Sequence, residues 1–161
     1  AKDVKVQVKF NIENVKAYRL IGYANRVLNE EDFEDDKKDA GEIGAGQNIT
    51  ALYEIVPQTG TTNLSAPSFT INFRYKNPDA DQSIPMNMDV FDKNTSFSQS
   101  SDFMKFTSAV ASFGMLLNDS EYSGNADFDM VTQWLEEVSL KDEHGFKAEL
   151  KDLVQLSKAL K

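Results

Sequence analysis

The densest cluster of reactive side chains is the run Glu30-Glu31-Asp32-Phe33-Glu34-Asp35-Asp36, followed by Asp39 and Glu42. Carboxylates this close together could wrap a hard cation, because Ca2+ takes about six to eight oxygen ligands. The spacing departs from the EF-hand, which alternates acidic or amide ligands around a central Gly and closes on a Glu. Lys37 and Lys38 neutralise part of the charge from within the run. The stretch is therefore read as a solvated acidic loop, with a Ca2+ or ligand site over residues 30–42 as the alternative.

Gly41, Gly44 and Gly46 follow in AGEIGAGQN. A phosphate cradle needs a Gly-Lys-Ser/Thr continuation and a helix N-terminus, and here a strand-like segment comes next. The glycines are expected to permit positive φ or a bulge as the chain enters the strand around Ile49. His144 is the only histidine, so HExxH and other multi-His metal sites are excluded. No Gly-x-Ser-x-Gly elbow accompanies it, and EHGF places it in a turn before the last helix. Paired carboxylates of the glycosidase type need a defined separation, and abundant acids select no pair. The chain has no Cys, which excludes thiol catalysis, zinc–thiolate sites and disulfides together. Apart from the Ca2+ alternative, no cofactor is expected. Arg19 and Arg26 flank LIGYAN. An Arg in an apolar strand often pairs with a carboxylate, so Arg19 or Arg26 is expected to tie the acidic connection to the sheet, with plain solvent exposure as the alternative.

The elements that must hold these residues show two periodicities. Val4, Val6, Val8 and Phe10 alternate with Lys5, Gln7 and Lys9, which predicts a half-buried antiparallel strand. Val15–Tyr23 reads as a second strand. Alternation returns at Ile49–Ile55, Phe69–Tyr75 and Ile84–Val90, separated by the turn-rich segments QTGTTNLSAP and KNPDADQS. Five strands at this spacing predict an antiparallel β-sandwich or a curled sheet. After Phe97 the period becomes 3.6. Ser100 or Ser101 can cap a helix carrying Phe103, Phe106, Val110, Phe113 and Leu117. Asp127 caps a second, with Phe128, Val131, Trp134, Leu135 and Val138 inward, and a third aligns Phe146, Leu150, Leu153 and Leu160. The fold class is α+β: a β-rich region over 1–97, then a three-helix region over 98–161 packed on it as one compact unit.

A net charge of −9, with 26 acidic against 17 basic residues, argues against nucleic acid and anionic membrane surfaces as partners. No apolar run approaches the ~18 residues of a membrane-spanning helix, so direct membrane insertion is not expected.

The segments YRLIGYANR, DDKKDAGEIGAG and ALYEIVP, in this order, resemble the uncharacterised C-terminal domain of bacterial von Willebrand factor type A (VWA) proteins. FGMLL followed by SEYSG, and HGFKAELKDLVQLSKAL, resemble the helical end of that domain, so the similarity covers essentially the whole chain. In such proteins a VWA domain precedes this region and carries an Asp-x-Ser-x-Ser adhesion motif, which this sequence lacks. The resemblance implies a unit excised from a larger VWA protein, and offers no catalytic residues to carry over. It implies a non-enzymatic structural or interaction module, with the VWA domain of the same polypeptide as partner and possible contact with another envelope protein. It also implies an extracytoplasmic place in the bacterial cell envelope.

Overall fold

The computed structural model describes residues 1–22, 28–60 and 63–161. The chain is mixed α+β, with antiparallel strands in two sheets followed by three helices. It divides into two compact units, Ala1–Asn94 and Thr95–Lys161.

In the first unit β1 (Lys2–Phe10), β4 (Phe69–Lys76) and β5 (Ile84–Val90) form one antiparallel sheet in the order β1-β4-β5. The strands β2 (Val15–Leu20) and β3 (Tyr53–Pro57) pair as a second sheet. Side chains alternate between the faces of a strand, so register decides which rows form. Val6, Phe73 and Met86 share one row, Val8, Ile71 and Met88 the next, and Phe10, Phe69 and Val90 the third. The opposite face carries Lys5–Arg74, Gln7–Asn72–Asn87 and Lys9–Thr70–Asp89. Pro85 has no N–H to give a ladder, and β5 is accordingly an edge strand. The two sheets meet at Phe10, whose ring stacks on Tyr18 at 3.8 Å and lies 5.6 Å from Tyr53.

Asn14 clamps the loop that leads into β4. It is 3% exposed. Its amide donates to the carbonyls of Asn63, Ala66 and Pro67, and its Oδ1 accepts from the Asn63 N–H at 2.9 Å. A buried polar side chain is tolerated there because both of its ends are satisfied.

In the second unit α1 (Asp102–Leu117), α2 (Phe128–Glu137) and α3 (Phe146–Leu160) surround a core of Ala109, Phe113, Val131, Leu135 and Val154. Ser101 caps α1 by accepting from the Met104 N–H, and Asp127 caps α2 by accepting from Met130 at 2.7 Å. The residue before α3 is Gly145, at φ 74°, in the left-handed region that favours glycine. The cap comes from further back, where the Asp142 carboxylate accepts from the N–H groups of Lys147 and Ala148. Those two backbone donors hold the Asp142 carboxyl below the usual aspartate range. Among the described residues no helix is long and apolar enough to cross a membrane.

Candidate functional site

The acidic connection is built onto the polar face of the three-stranded sheet. A 3-10 turn over Glu30–Phe33 opens it, and three basic side chains of the sheet hold the backbone from Asp32 to Asp36. Lys5, 3% exposed, donates through Nζ to the backbone carbonyls of Asp32 at 3.0 Å and Asp35 at 2.5 Å. Arg74 meets Asp36, Nη2 to Oδ1, at 3.0 Å. Lys76 reaches the Asp36 carbonyl at 2.6 Å and the Asp3 carboxylate at 2.8 Å. Alternation explains the set: Lys5 and Arg74 are register partners, so their side chains share the face opposite the valines.

Beyond this tether the chain runs back along the start of β1. The Val4 N–H donates to the Gly41 carbonyl at 2.8 Å, Gly41 returns the bond, and the Ile43 N–H donates to the Ala1 carbonyl. The register of β1 shifts between Lys2 and Lys5, and Asp3 there adopts φ 51°. An Asp tolerates that conformation better than most residues. The irregularity leaves the Asp3 carboxylate able to accept from the Ala40 N–H while pairing with Lys76.

The predicted residues separate into groups. Asp36 is held by Arg74 and by the Ser83 N–H at 3.4 Å. Asp32 pairs with Lys38 and accepts from Asn29, and Asp35 accepts from the Lys37 N–H. Glu30, Glu31 and Glu34 are exposed. Asp39 and Glu42 come together with Asp3, one carboxylate oxygen of each lying within 4.8 Å of the others. Gly46 takes φ 79°, Gly44 donates its N–H to the Gln47 side chain, and Gly41 forms the bridge to Val4. Arg19 pairs with Glu54 across β2 and β3. Arg26 lies outside the described residues. His144 sits in the turn before α3, its ring 5.6 Å from Phe146.

Asp3, Lys5, Arg74 and Lys76 are the residues of the tether that motif reading passes over. Their signal was the alternation itself, which puts basic side chains on one face of two paired strands beside an acidic connection. The tether also fixes a pH dependence. The Lys76 hydrogen bond, opposed by partial burial and assisted by the Ala40 N–H, holds the Asp3 carboxyl below the ordinary 3.8. Asp36 is lowered first by Ser83, whose backbone N–H donates to its carboxylate, and then by Arg74. Lys76 is raised above the ordinary 10.5, chiefly by Asp3. The carboxylates therefore contribute fully above pH 3.8, and their share is lost as pH falls through their lower folded values. Lys76 contributes fully below pH 10.5, and its share is lost as pH rises through its higher folded value. Protease cleavage within residues 30–42 is thus expected to be flat from about pH 5 to 9 and to rise only in stronger acid or base. Release of the connection between pH 5 and 7 would contradict the tether.

The arrangement binds one part of the chain to another. One carboxylate oxygen each of Asp3, Asp39 and Glu42 comes within reach of a shared position, and the Lys76 ammonium already pairs with the Asp3 carboxylate.

Comparison with known proteins adds a family and a relative. The family described as "Uncharacterized protein YfbK, C-terminal" matches residues 1–160. The curated "Uncharacterized protein YfbK" of Escherichia coli (strain K12) is 32% identical over 173 residues, covering 98% of this chain and 30% of the relative. The chain thus spans less than a third of the length of the curated relative it matches. No solved structure matches it.

Proposed function

This chain belongs to the YfbK C-terminal family, and on that premise we propose a non-catalytic structural and interaction module supporting a VWA domain of the same polypeptide in a bacterial cell-envelope protein. The observation that carries the reading is the use made of the chain's charged groups. Lys5, Arg74, Lys76, Asp3 and Asp36 are spent on holding the acidic connection to the sheet. A group so engaged orients backbone; a catalytic one would face a reacting atom at hydrogen-bond distance. On this reading any adhesive activity belongs to the neighbouring domain, the location is extracytoplasmic, and a further envelope protein is a candidate partner.

Deleting this region from the complete polypeptide tests the reading. The remaining VWA domain is expected to melt several degrees lower and to be cleaved faster by protease. An unchanged melting temperature together with unchanged adhesion would refute a supporting role.

The rival reading, a calcium- or ligand-binding domain, rests on the Asp3–Asp39–Glu42 cluster. With Lys76 competing for Asp3, titration of Ca2+ into chelator-treated protein is expected to give no binding heat and no shift in melting temperature. A saturable heat abolished by Asp39→Asn or Glu42→Gln would favour the rival instead.

A further inference from the structure

Asparagine is depleted in strands, because it packs poorly on a pleated surface and its side chain competes for the backbone. Yet Asn72 and Asn87 are register partners in the middle of β4 and β5, and Gln7 of β1 flanks Asn72 on its other side. The three amides therefore form one row across the polar face of the three-stranded sheet. They do little for one another. Their one mutual hydrogen bond, from Asn72 Nδ2 to Gln7 Oε1, is long at 3.5 Å, and the Asn87 amide has no partner among the described residues. A local choice that works against the element carrying it points to a role other than holding the fold.

The row lines a cleft of about 390 Å³, within the ~300–1,000 Å³ span of small-ligand sites. Phe33 and Glu34 of the tethered connection line it as well. Lys9 and Arg74 stand on the rows to either side of the amides, and Arg74 is fixed by its pair with Asp36. Every lining residue belongs to the unit Ala1–Asn94, and none adjoins residues 23–27 in the chain. The tether thus has a second consequence. Lys5 holds the carbonyls of Asp32 and Asp35, and the two residues between them, Phe33 and Glu34, are the ones set beside the amide row.

We propose that this cleft binds a neutral polyhydroxylated ligand of the sugar class, its hydroxyls on Gln7, Asn72 and Asn87 and a ring face against Phe33. The chemistry of the lining selects that class. An amide donates and accepts side by side, which matches neighbouring hydroxyls, whereas a carboxylate or phosphate only accepts. The charges of the cleft oppose one another, Lys9 against Glu34 and Arg74 against Asp36, so neither an anion nor a cation is favoured. The C–H face of a sugar ring offers apolar surface to the Phe33 ring. The site adds ligand binding to the supporting role proposed above and does not depend on it.

Titration followed by NMR tests it. Maltose, cellobiose and N,N′-diacetylchitobiose would each be added to the 15N-labelled chain up to about 50 mM, with sodium acetate as the anion control. At least one disaccharide is expected to give saturable shifts centred on the side-chain amides of Gln7, Asn72 and Asn87, and acetate none. Two variants separate a binding role from a structural one. Asn72→Val and Asn87→Val put a good strand former in place of a poor one, so the melting temperature should hold or rise. Binding should weaken ~10-fold or more in each, because the ligand loses its hydrogen-bond partner. No saturable shift with any disaccharide would overturn the proposal, as would shifts centred on other residues. Equal shifts with acetate would assign the cleft to anions and overturn it too. Valine variants that bind as the parent does, or that melt several degrees lower, would show the amides to be structural and end the proposal.

Discussion

Lys5→Met is expected to destabilise the β unit by roughly 3 kcal/mol and to free the acidic connection. Methionine keeps the volume and the apolar stem but removes every donor. Two backbone carbonyls, Asp32 at 3.0 Å and Asp35 at 2.5 Å, lose the ammonium that satisfies them. A hydrogen bond from a charged donor is worth about 1.5–3 kcal/mol, and two bonds from one ammonium do not add in full. The control is Lys9→Met on the same face, where the side chain is exposed and the cost should stay within about 0.5 kcal/mol. Limited proteolysis reads the result, since cleavage within residues 30–42 should accelerate many-fold in the Lys5 variant alone. A Lys5→Met protein cut no faster than the parent would mean that the connection is held by something other than the sheet's basic face.

The second large effect belongs to the helical unit. Leu135→Ala is expected to cost about 2–5 kcal/mol. Leu135 is 3% exposed within the core of Ala109, Phe113, Val131 and Val154, so truncation removes apolar burial and leaves a cavity that the helices fill only in part. Small cores have little reserve, so much of this unit should unfold at room temperature. The chain's single tryptophan, Trp134, packs against this cluster and against Phe97 at 4.5 Å, which makes its fluorescence a probe of this unit. Leu156→Ala, at an exposed position of α3, should move the transition by less than about 0.5 kcal/mol. Equal effects for the two leucines would contradict a core centred on Val131, Leu135 and Val154.

Much of the fold was legible because alternation and capping are local. The strands around Val4–Phe10, Phe69–Tyr75 and Ile84–Val90 lie where period two placed them. Asp127 and Ser101 cap the helices that follow them. The third strand was less legible: Ile49 and Ala51 alternate as a strand would, yet pairing begins only at Tyr53, opposite Leu20. On the helices, periodicity found the right elements but not always the buried stripe. In α1 the buried residues are Ala109, Ser112 and Phe113, with Phe106 and Leu116 packed beside the core, while Phe103, Val110 and Leu117 are exposed. Residues seven apart drift round a helix, so an apolar series at that spacing can lie on the shoulder of the contact. In α3 the buried residue is Val154, with the predicted Leu150 packed beside the core, while the predicted Phe146, Leu153 and Leu160 are exposed.

The candidate site was legible in composition but not in partnership. The acidic run announced a charged surface, and the basic positions of β1 and β4 announced another. That they meet depends on β1 pairing with β4 in a register that sets Lys5 beside Arg74, a contact between segments far apart in the sequence. Asp3 entered the cluster with Asp39 and Glu42 only because of an irregularity in β1.

By itself, then, the sequence determined which residues alternate, where helices start, and which chemistries are absent with Cys and with all but one His. These follow from the covalent order of side chains and the periods of strand and helix. The tertiary structure decided that the acidic connection is a tether, and that Lys5 is buried while Val6, on the apolar side of the same strand, is exposed. Alternation states which side of a strand is apolar. Whether that side is covered depends on what else folds against it, and no local pattern encodes that.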